Sequence, residues 1–428
     1  GRAICGDSDS ASTREWLVTN GIGGYASGTI AGILTRRYHG LLIAALRPPL
    51  GRALLVAKID EAVFLDDKTY PLSANRYSTG VVEPHGFHSI QRFYLDGGIP
   101  TWEYALPGAL IEKRIWMKAG ENTTYIHYTC LLSAYDCIPL QLRALVNARD
   151  VHGATHANQA PQIDLSPLTA GMLISCPSFE TQAMLCCSNG YAQFTPEWQR
   201  NFYLSAEAAR GESSVEDHLA AGNFFIELSE GQSITLVAST NPQASLDGLA
   251  ELQTRKLFET QLLASAAHLI DQAPSNQAEI GQLVLAADQF IVNRSHPLDP
   301  EGKTVLAGYP WFSDWGRDTM IALPGLTLAT GRPEIARKIL RTFSAYVDQG
   351  MLPNRFPDEG NQPEYNTVDA TLWYIEAIRA TLQASNDCSW LEEIYPILQE
   401  IISWHLKGTR DQIRCDPEDG LLAAGDRQ

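Results

Sequence analysis

The sequence predicts two fold classes in succession: an N-terminal β-sandwich over residues 1–245, a helical linker over 246–275, and the first part of an (α/α)6 toroid over 276–428. Three observations predict it. Short apolar–polar alternations with turn signals fill the stretch from about Glu15 to Thr240. The period becomes helical after Asn241, and the helices then follow one another as hairpins punctuated by glycine and proline. A chain of 428 residues is also too long for one ordinary core, so at least two domains are expected.

In the β part, Leu140, Leu142, Ala144 and Val146 alternate with Gln141 and Arg143, so one face of that strand is buried and the other mostly wet. Further on, Phe224, Ile226 and Leu228 lead into a turn at Ser229–Gln232 with Gly231, and Ile234, Leu236 and Ala238 follow, which reads as a hairpin. Such strands at regular spacing are the signature of a sandwich.

In the helical part, Asn276 with Glu279 reads as a capping box, ahead of a face formed by Ile280, Leu283, Val284, Ala287, Phe290 and Ile291. Gly331 ends the next helix, and Pro333 opens another with Ile335, Ile339, Phe343 and Tyr346 inward and Gly350 as its stop. Val368, Leu372, Ile375 and Ile378 mark a fourth helix. Ser389 with Glu392 caps a fifth, whose apolar face is Leu391, Ile394, Leu398 and Ile402. Helical hairpins after a β-sandwich suggest a toroid in which alternate helices line an inner ring. The stretch from Asn276 to Gln428 holds only about five helices at ordinary lengths, under half of a twelve-helix ring, so the toroid is expected to be incomplete and the chain truncated.

Charge narrows the function. With 49 acidic against 32 basic side chains and a formal charge of −17, no basic field exists to hold a polyanion by counterion release, and a nucleic acid partner is not expected. A neutral, hydroxylated ligand such as a glucan stays compatible, because hydrogen bonds and ring stacking hold it. The eight cysteines have neither metal-ligand spacing nor the density of a disulfide scaffold. They read as small buried hydrophobes in a reducing compartment, and no metal or cofactor is expected. The opening GRAICGDSDS has no secretory apolar core, and no run approaches eighteen apolar residues, so the expectation is a cytoplasmic protein without a membrane partner.

The densest chemical signal is GYPWFSDWGRDT, residues 308–319, a loop running into a helix. An indole face packs on the apolar C–H face of a pyranose, while carboxylate and guanidinium groups bond vicinal hydroxyls. Trp311, Asp314, Trp315, Arg317 and Asp318 are therefore candidate sugar-binding residues. Their clustering on a loop exceeds what capping by Asp314 or Asp318, with tryptophans in the core, would require. A second stretch, LPNRFPDEGNQPEYNTVDATLW (352–373), is broken by Pro353, Pro357, Gly360 and Pro363 into a shaped loop before a helix. There Asn366 and Asp369 either cap the helix or converge with Arg355 and Glu364 on the same pocket; Asp358 and Glu359 read as solvated. A third, NGIGGYASGTIAGILTRRYHG (20–40), lacks the lysine and the strand-to-helix setting of a phosphate loop. Arg36, Arg37, Tyr38 and His39 are read there as structural, with an interdomain cleft as the sharper alternative.

These stretches, REWLVTNGIGGYASGTIAGILTRRYHGLLIAAL (14–46), YPWFSDWGRDTMIALPGL (309–326) and PNRFPDEGNQPEYNTVDATLWY (353–374), closely resemble prokaryotic glycogen-debranching enzymes of the amylo-α-1,6-glucosidase type. The resemblance spans nearly the whole chain. It implies an N-terminal β-sandwich, a C-terminal (α/α)6 barrel, hydrolysis of α-1,6-linked glucosyl stubs on glycogen or another branched α-glucan, and no metal. By matching position, Trp311, Asp314, Trp315, Arg317 and Asp318 would bind the non-reducing-end glucose, with Asn366 and Asp369 nearby. In such enzymes the general acid and base follow a segment resembling DPEDGLLAAGD, here 416–426, so both catalytic carboxylates are expected beyond Gln428. The competing expectations are a non-catalytic glucan-binding protein and another (α/α)6 glucosidase or phosphorylase.

Overall fold

The computed structural model describes residues 1–296, 299–356, 362–385, 387 and 389–424. It divides into two compact units, Gly1–Glu259 and Thr260–Gln428. Alternating burial builds the first unit from two antiparallel sheets of eight strands. In order across the first sheet lie Glu15–Thr19, Tyr25–Thr29, Gly40–Arg47, Leu50–Leu65, Ile138–Asp150, Val215–Leu228 and Tyr191–Tyr203, with Lys68–Pro71 paired to Leu50–Leu65. Across the second lie Asp164–Leu168, Gly171–Cys176, Thr181–Cys187, Ser233–Ser239, Thr123–Ser133, Ala109–Met117, Ile99–Leu106 and Ile90–Asp96.

One core cluster takes side chains from both sheets: Leu42, Val56, Leu142 and Phe224 from the first, Ile111, Ile126, Tyr128 and Leu236 from the second. Each fully buried large apolar side chain of this kind contributes roughly 1.5–3 kcal/mol. Leu140, Leu142, Ala144 and Val146 all face this core. The strands are not uniformly short, since Leu50–Leu65 runs 16 residues and Val215–Leu228 runs 14.

The expected hairpin at 224–238 is not one. Phe224 pairs with Leu142 in the first sheet, whereas Leu236 pairs with Ile126 in the second. The turn at Ser229–Gln232 therefore carries the chain from one sheet to the other, tied down by Gly231 N–H donating to Cys130 O at 2.8 Å. Alternation correctly marks which side chains face the core. It carries no information on which strand lies alongside, and here two inward faces meet across the core instead of side by side.

The helices from Gly248 onward are α1 (Gly248–Ser265), α2 (Ala267–Gln272), α3 (Gln277–Gln289), α4 (Gly316–Leu323), α5 (Pro333–Ser344), α6 (Asp369–Ser385) and α7 (Ser389–Lys407). A π-helical stretch, Pro324–Leu328, extends α4. The second unit's core joins Met320 and Leu323 of α4, Ile339, Leu340 and Phe343 of α5, Tyr374 and Ile378 of α6, and Trp390, Ile394 and Ile401 of α7. Gly331 closes the α4 segment with φ +76°, and a Cβ there would lie 2.2 Å from Ser265 O, so only glycine fits. Pro333 opens α5, where its missing N–H costs nothing.

Caps and faces differ from the expectation in detail. Asn276 stands at the N-cap of α3 but makes no side-chain cap bond. Leu283 is 68% exposed while Leu285 is buried. Helix α5 ends at Ser344, before Gly350. In α6 the buried apolar positions are Ala370, Tyr374, Ala377 and Ile378, and Leu372 is exposed. In α7 they are Trp390, Ile394 and Ile401, and Ile402 is exposed. Asp387, not Ser389, supplies the acceptor at the start of α7, taking Ser389 N–H at 3.1 Å. Helices α6 and α7 carry apolar residues on two faces, so periodicity alone marks a stripe without saying which stripe packs. Among the described residues no helix is long and apolar enough to cross a membrane, and no group of side chains has the makings of a metal site.

Candidate functional site

The loop before α4 is held by backbone pairing on both flanks. A two-stranded ribbon, Ile291–Asn293 with Lys303–Val305, precedes it, and Leu306 bridges to Asp314. Trp315 then bridges to Arg355, and Arg355 to Glu364. Gly316 N–H donates to Asn354 O at 2.8 Å, Asn354 N–H to Glu364 O at 2.8 Å, and Glu364 N–H to Arg355 O at 2.9 Å. This ladder needs Gly316: an added Cβ would sit 2.0 Å from Pro353 O. Two stretches some forty residues apart in sequence are thus laced into one surface at the first turns of α4 and α6.

On that surface Arg317, in the first turn of α4, meets Asp369, the first residue of α6. Its Nε lies 2.8 Å from Asp369 Oδ2, and its terminal nitrogen donates to Oδ1 at 3.0 Å. Both side chains remain about two-fifths exposed, so the pair orients its members while leaving them reachable. Asp318 is exposed beside Arg317 and has no hydrogen bond or ion pair among the described residues. Trp315 is half-buried: the Arg355 guanidinium lies over its ring at 5.6 Å, and the Phe312 ring meets it edge-on at 6.3 Å. Trp311 and Glu364 are half-buried, and Phe312 is 48% exposed.

Asp314 requires a correction. It is fully buried, and Arg294 grips it through two contacts, Nε to Oδ2 at 2.5 Å and a terminal nitrogen to Oδ1 at 2.6 Å, while Thr304 Oγ1 donates to Oδ2 at 3.0 Å. A carboxylate so enclosed has no face for a sugar. It anchors the loop to the ribbon, and the Arg294 guanidinium lies 4.1 Å above the Phe356 ring. Asn366 does not cap α6 either; it precedes the helix, and its Oδ1 accepts from Asn354 Nδ2 at 3.0 Å. Asp358 and Glu359 lie outside the described residues.

Arg294, Thr304 and Asn354 were not legible as site-supporting residues. Their partners lie 10 to 20 residues away in sequence, and a lone arginine after an apolar pair carries no local signal. Phe312 stands inside the flagged loop, and its neighbours alone could have marked it.

The polar side chains of the 20–40 stretch bond within the first unit. Arg36 Nε donates to Glu15 Oε1 at 2.6 Å, Arg37 to His152 O at 2.8 Å, and Tyr38 Oη lies 3.2 Å from His152 Nδ1. His39 Nδ1 accepts from Thr35 N–H at 3.2 Å. Burial pushes the Glu15 carboxyl up, but His39 and Arg36 outweigh it and pull it down to about 2.

Two family models match the chain: the glycogen debranching enzyme N-terminal model over residues 14–235, and the amylo-α-1,6-glucosidase model over residues 285–428. The chain belongs to the glycogen debranching enzyme family. The surface at α4 and α6 falls inside the amylo-α-1,6-glucosidase match, and the 20–40 stretch inside the N-terminal match. A glycogen debranching enzyme of Saccharomyces cerevisiae is 36% identical over 81 residues, 18% of this chain and 5% of the yeast protein. A bacterial glucoamylase solved with acarbose is similar over 92% of this chain and 58% of its own, at a TM-score of 0.42 and 9% identity. An α-mannosidase of Bacteroides thetaiotaomicron is similar over 98% and 62%, at 0.30 and 11%. The chain thus spans less than two thirds of the length of these proteins.

Proposed function

We propose that this chain acts in glycogen debranching, in the hydrolysis of α-1,6-glucosidic branch stubs, and that the surface at the first turns of α4 and α6 binds the stub's terminal glucose. One observation carries the reading. Within the amylo-α-1,6-glucosidase match, backbone bridges join Trp315, Arg355 and Glu364, side-chain bonds join Arg317 to Asp369 and Asn354 to Asn366, and Asp318 stands exposed next to Arg317. Trp315 and Trp311 offer ring faces to a pyranose, Asp318 accepts from vicinal hydroxyls, and Asp369 holds the Arg317 guanidinium ready to donate.

Asp314 is a positioning residue in this scheme. Inversion needs a protonated carboxyl at the leaving oxygen and a second, about 6.5–9.5 Å away, to activate water. Asp314 is enclosed, Asp369 is paired with Arg317, and Asp318 is read as a glucose ligand, so neither role is assigned to these three. For the fold, we read the two sheets as a β-sandwich and the helices as part of an (α/α)6 barrel. Exposed Leu372, Trp373, Tyr395, Ile402 and Leu406 on α6 and α7 support further helix packing there. Among the described residues the cysteines are free, which supports a reducing, cytoplasmic setting.

The test is incubation of the native protein with phosphorylase limit dextrin. Free glucose is the expected product. Linear oligosaccharides alone would mean whole-branch hydrolysis, phosphate-dependent turnover would mean a phosphorylase, and binding without turnover would mean a glucan-binding protein; each overturns the reading.

A further inference from the structure

A row of rings crosses the outer face of the first sheet, in the first compact unit. Side chains on that face alternate with the buried Val63, Leu65, Leu140, Phe224 and Ile226. Phe64 stands on Leu50–Leu65, Pro139 on Ile138–Asp150, Phe225 on Val215–Leu228 and Tyr191 on the edge strand Tyr191–Tyr203. Tyr191 and Phe225 are register partners with stacked rings, 5.2 Å between centroids and 23° between planes. Tyr191 is 65% exposed and Phe64 36%, unusual exposure for large rings. With Asn189 and Glu227 these residues line a hollow of about 380 Å³. Gln141 is the register partner of Phe225 and its Nε2 donates to Asn223 Oδ1 at 2.7 Å, Asn223 Nδ2 donates to Thr195 Oγ1 at 2.9 Å, and the next row along the strands holds Asn223 between the exposed Gln193 and the half-buried Arg143.

We propose that this row is a second, non-catalytic binding surface for a linear α-glucan segment. Its place is independent of the loop site, although the ligand class rests on the glucan reading above. Four adjacent strands at about 4.8 Å spacing give a platform roughly 14 Å across, room for about three sugar rings laid face-down. Ring faces meet the apolar C–H faces of pyranoses, and the amides and hydroxyl alongside match a neutral polyol. An anion does not fit, because no lysine or arginine lines the hollow, Glu227 does, and the chain carries a charge of −17. A second copy added edge-to-edge does not fit either. The edge strand breaks register between Phe194 and Glu197 and again between Gln199 and Phe202, and Pro196 and Glu197 stand exposed on it.

The test is electrophoresis of the native protein through gels with and without glycogen, comparing wild type with Tyr191→Ala, Phe64→Ala and the double variant. Wild type should be retarded by glycogen. Each single change should weaken retention severalfold and the double change roughly tenfold or more. Hydrolysis of a short branched oligosaccharide, which reaches only the loop site, should be unchanged in all three, and this also reports correct folding. Asp318→Asn should keep glycogen retention while losing that hydrolysis. Retention abolished by Asp318→Asn but untouched by the double variant would overturn the platform and leave the debranching reading standing. Retention lost only in the double variant, in a protein that hydrolyses no glucan, would keep the platform and sink the debranching reading. A halved sedimentation mass in the double variant would show a second copy as the occupant, and overturn the proposal.

Discussion

Replacing Arg294 with alanine isolates the carboxylate around which the 308–318 loop is built. In the native protein Asp314 has no solvent exposure, and two arginine contacts at 2.5 and 2.6 Å and a threonine hydroxyl at 3.0 Å compensate its charge. Removing one member of a buried pair costs about 3–5 kcal/mol, because the survivor keeps its desolvation cost without its partner. The lost contact of the guanidinium with Phe356, 4.1 Å away, pushes the effect toward the upper end. Total stability is only about 5–15 kcal/mol, so the loss is severe. Urea unfolding followed by tryptophan fluorescence reads it: with slopes of about 1–3 kcal/mol per molar, the midpoint should fall by at least about 1 M. The double variant Arg294→Met with Asp314→Leu removes both charges and should recover most of that loss. Glucoside binding should fail in the single variant, because the loop loses its anchor. A midpoint shift under about 0.3 M, with sugar binding intact, would refute the anchoring role and return Asp314 to direct contact with ligand.

Other outcomes follow from the same geometry. Asp318→Asn should reduce glucose release by at least about a hundredfold with an unchanged unfolding midpoint, since the carboxylate is exposed, packs against no core, and is proposed to meet the sugar; equal turnover would remove it from the site. Asp369→Asn should weaken glucoside binding severalfold while costing about 0–1 kcal/mol of stability, because its pair with Arg317 is about two-fifths exposed; calorimetry and urea titration separate the two effects. Gly316→Ala should cost roughly 1–3 kcal/mol or more, since the new methyl meets a backbone carbonyl at 2.0 Å; a neutral urea midpoint would contradict the ladder. Burial holds His127 and His218 at about 4, so between pH 6.5 and 4 the unfolded chain binds more protons than the folded one. Their contribution is complete above pH 6.5 and is lost as pH falls toward 4, up to about 3 kcal/mol each; His127→Gln should flatten that slope, and stability rising on acidification would contradict it.

The change of period after Asn241 made the β-then-α order legible, and the density of tryptophan, aspartate and arginine marked the loop at 308–318. What separates Asp314 from Asp318, four positions apart and chemically identical, was not legible. Burial decides it, and the burial is imposed by Arg294, placed by a ribbon that closes through Val292 and Thr304. Local pattern names the residue types a site needs but not the neighbours that each one meets. The same gap explains the misread turn after Leu228, where inward-facing side chains were visible and the sheet change was not. It also explains Asn366, whose partner is Asn354 and not a helix end.

The most direct measurement is a crystal structure of the native protein with isomaltose bound. Density for the non-reducing glucosyl ring is expected on the Trp315 indole, with its hydroxyls at Asp318 and Arg317. Sugar bound in order elsewhere, with the surface from Trp311 to Asp318 empty, would contradict the assignment of that loop as the glucose subsite.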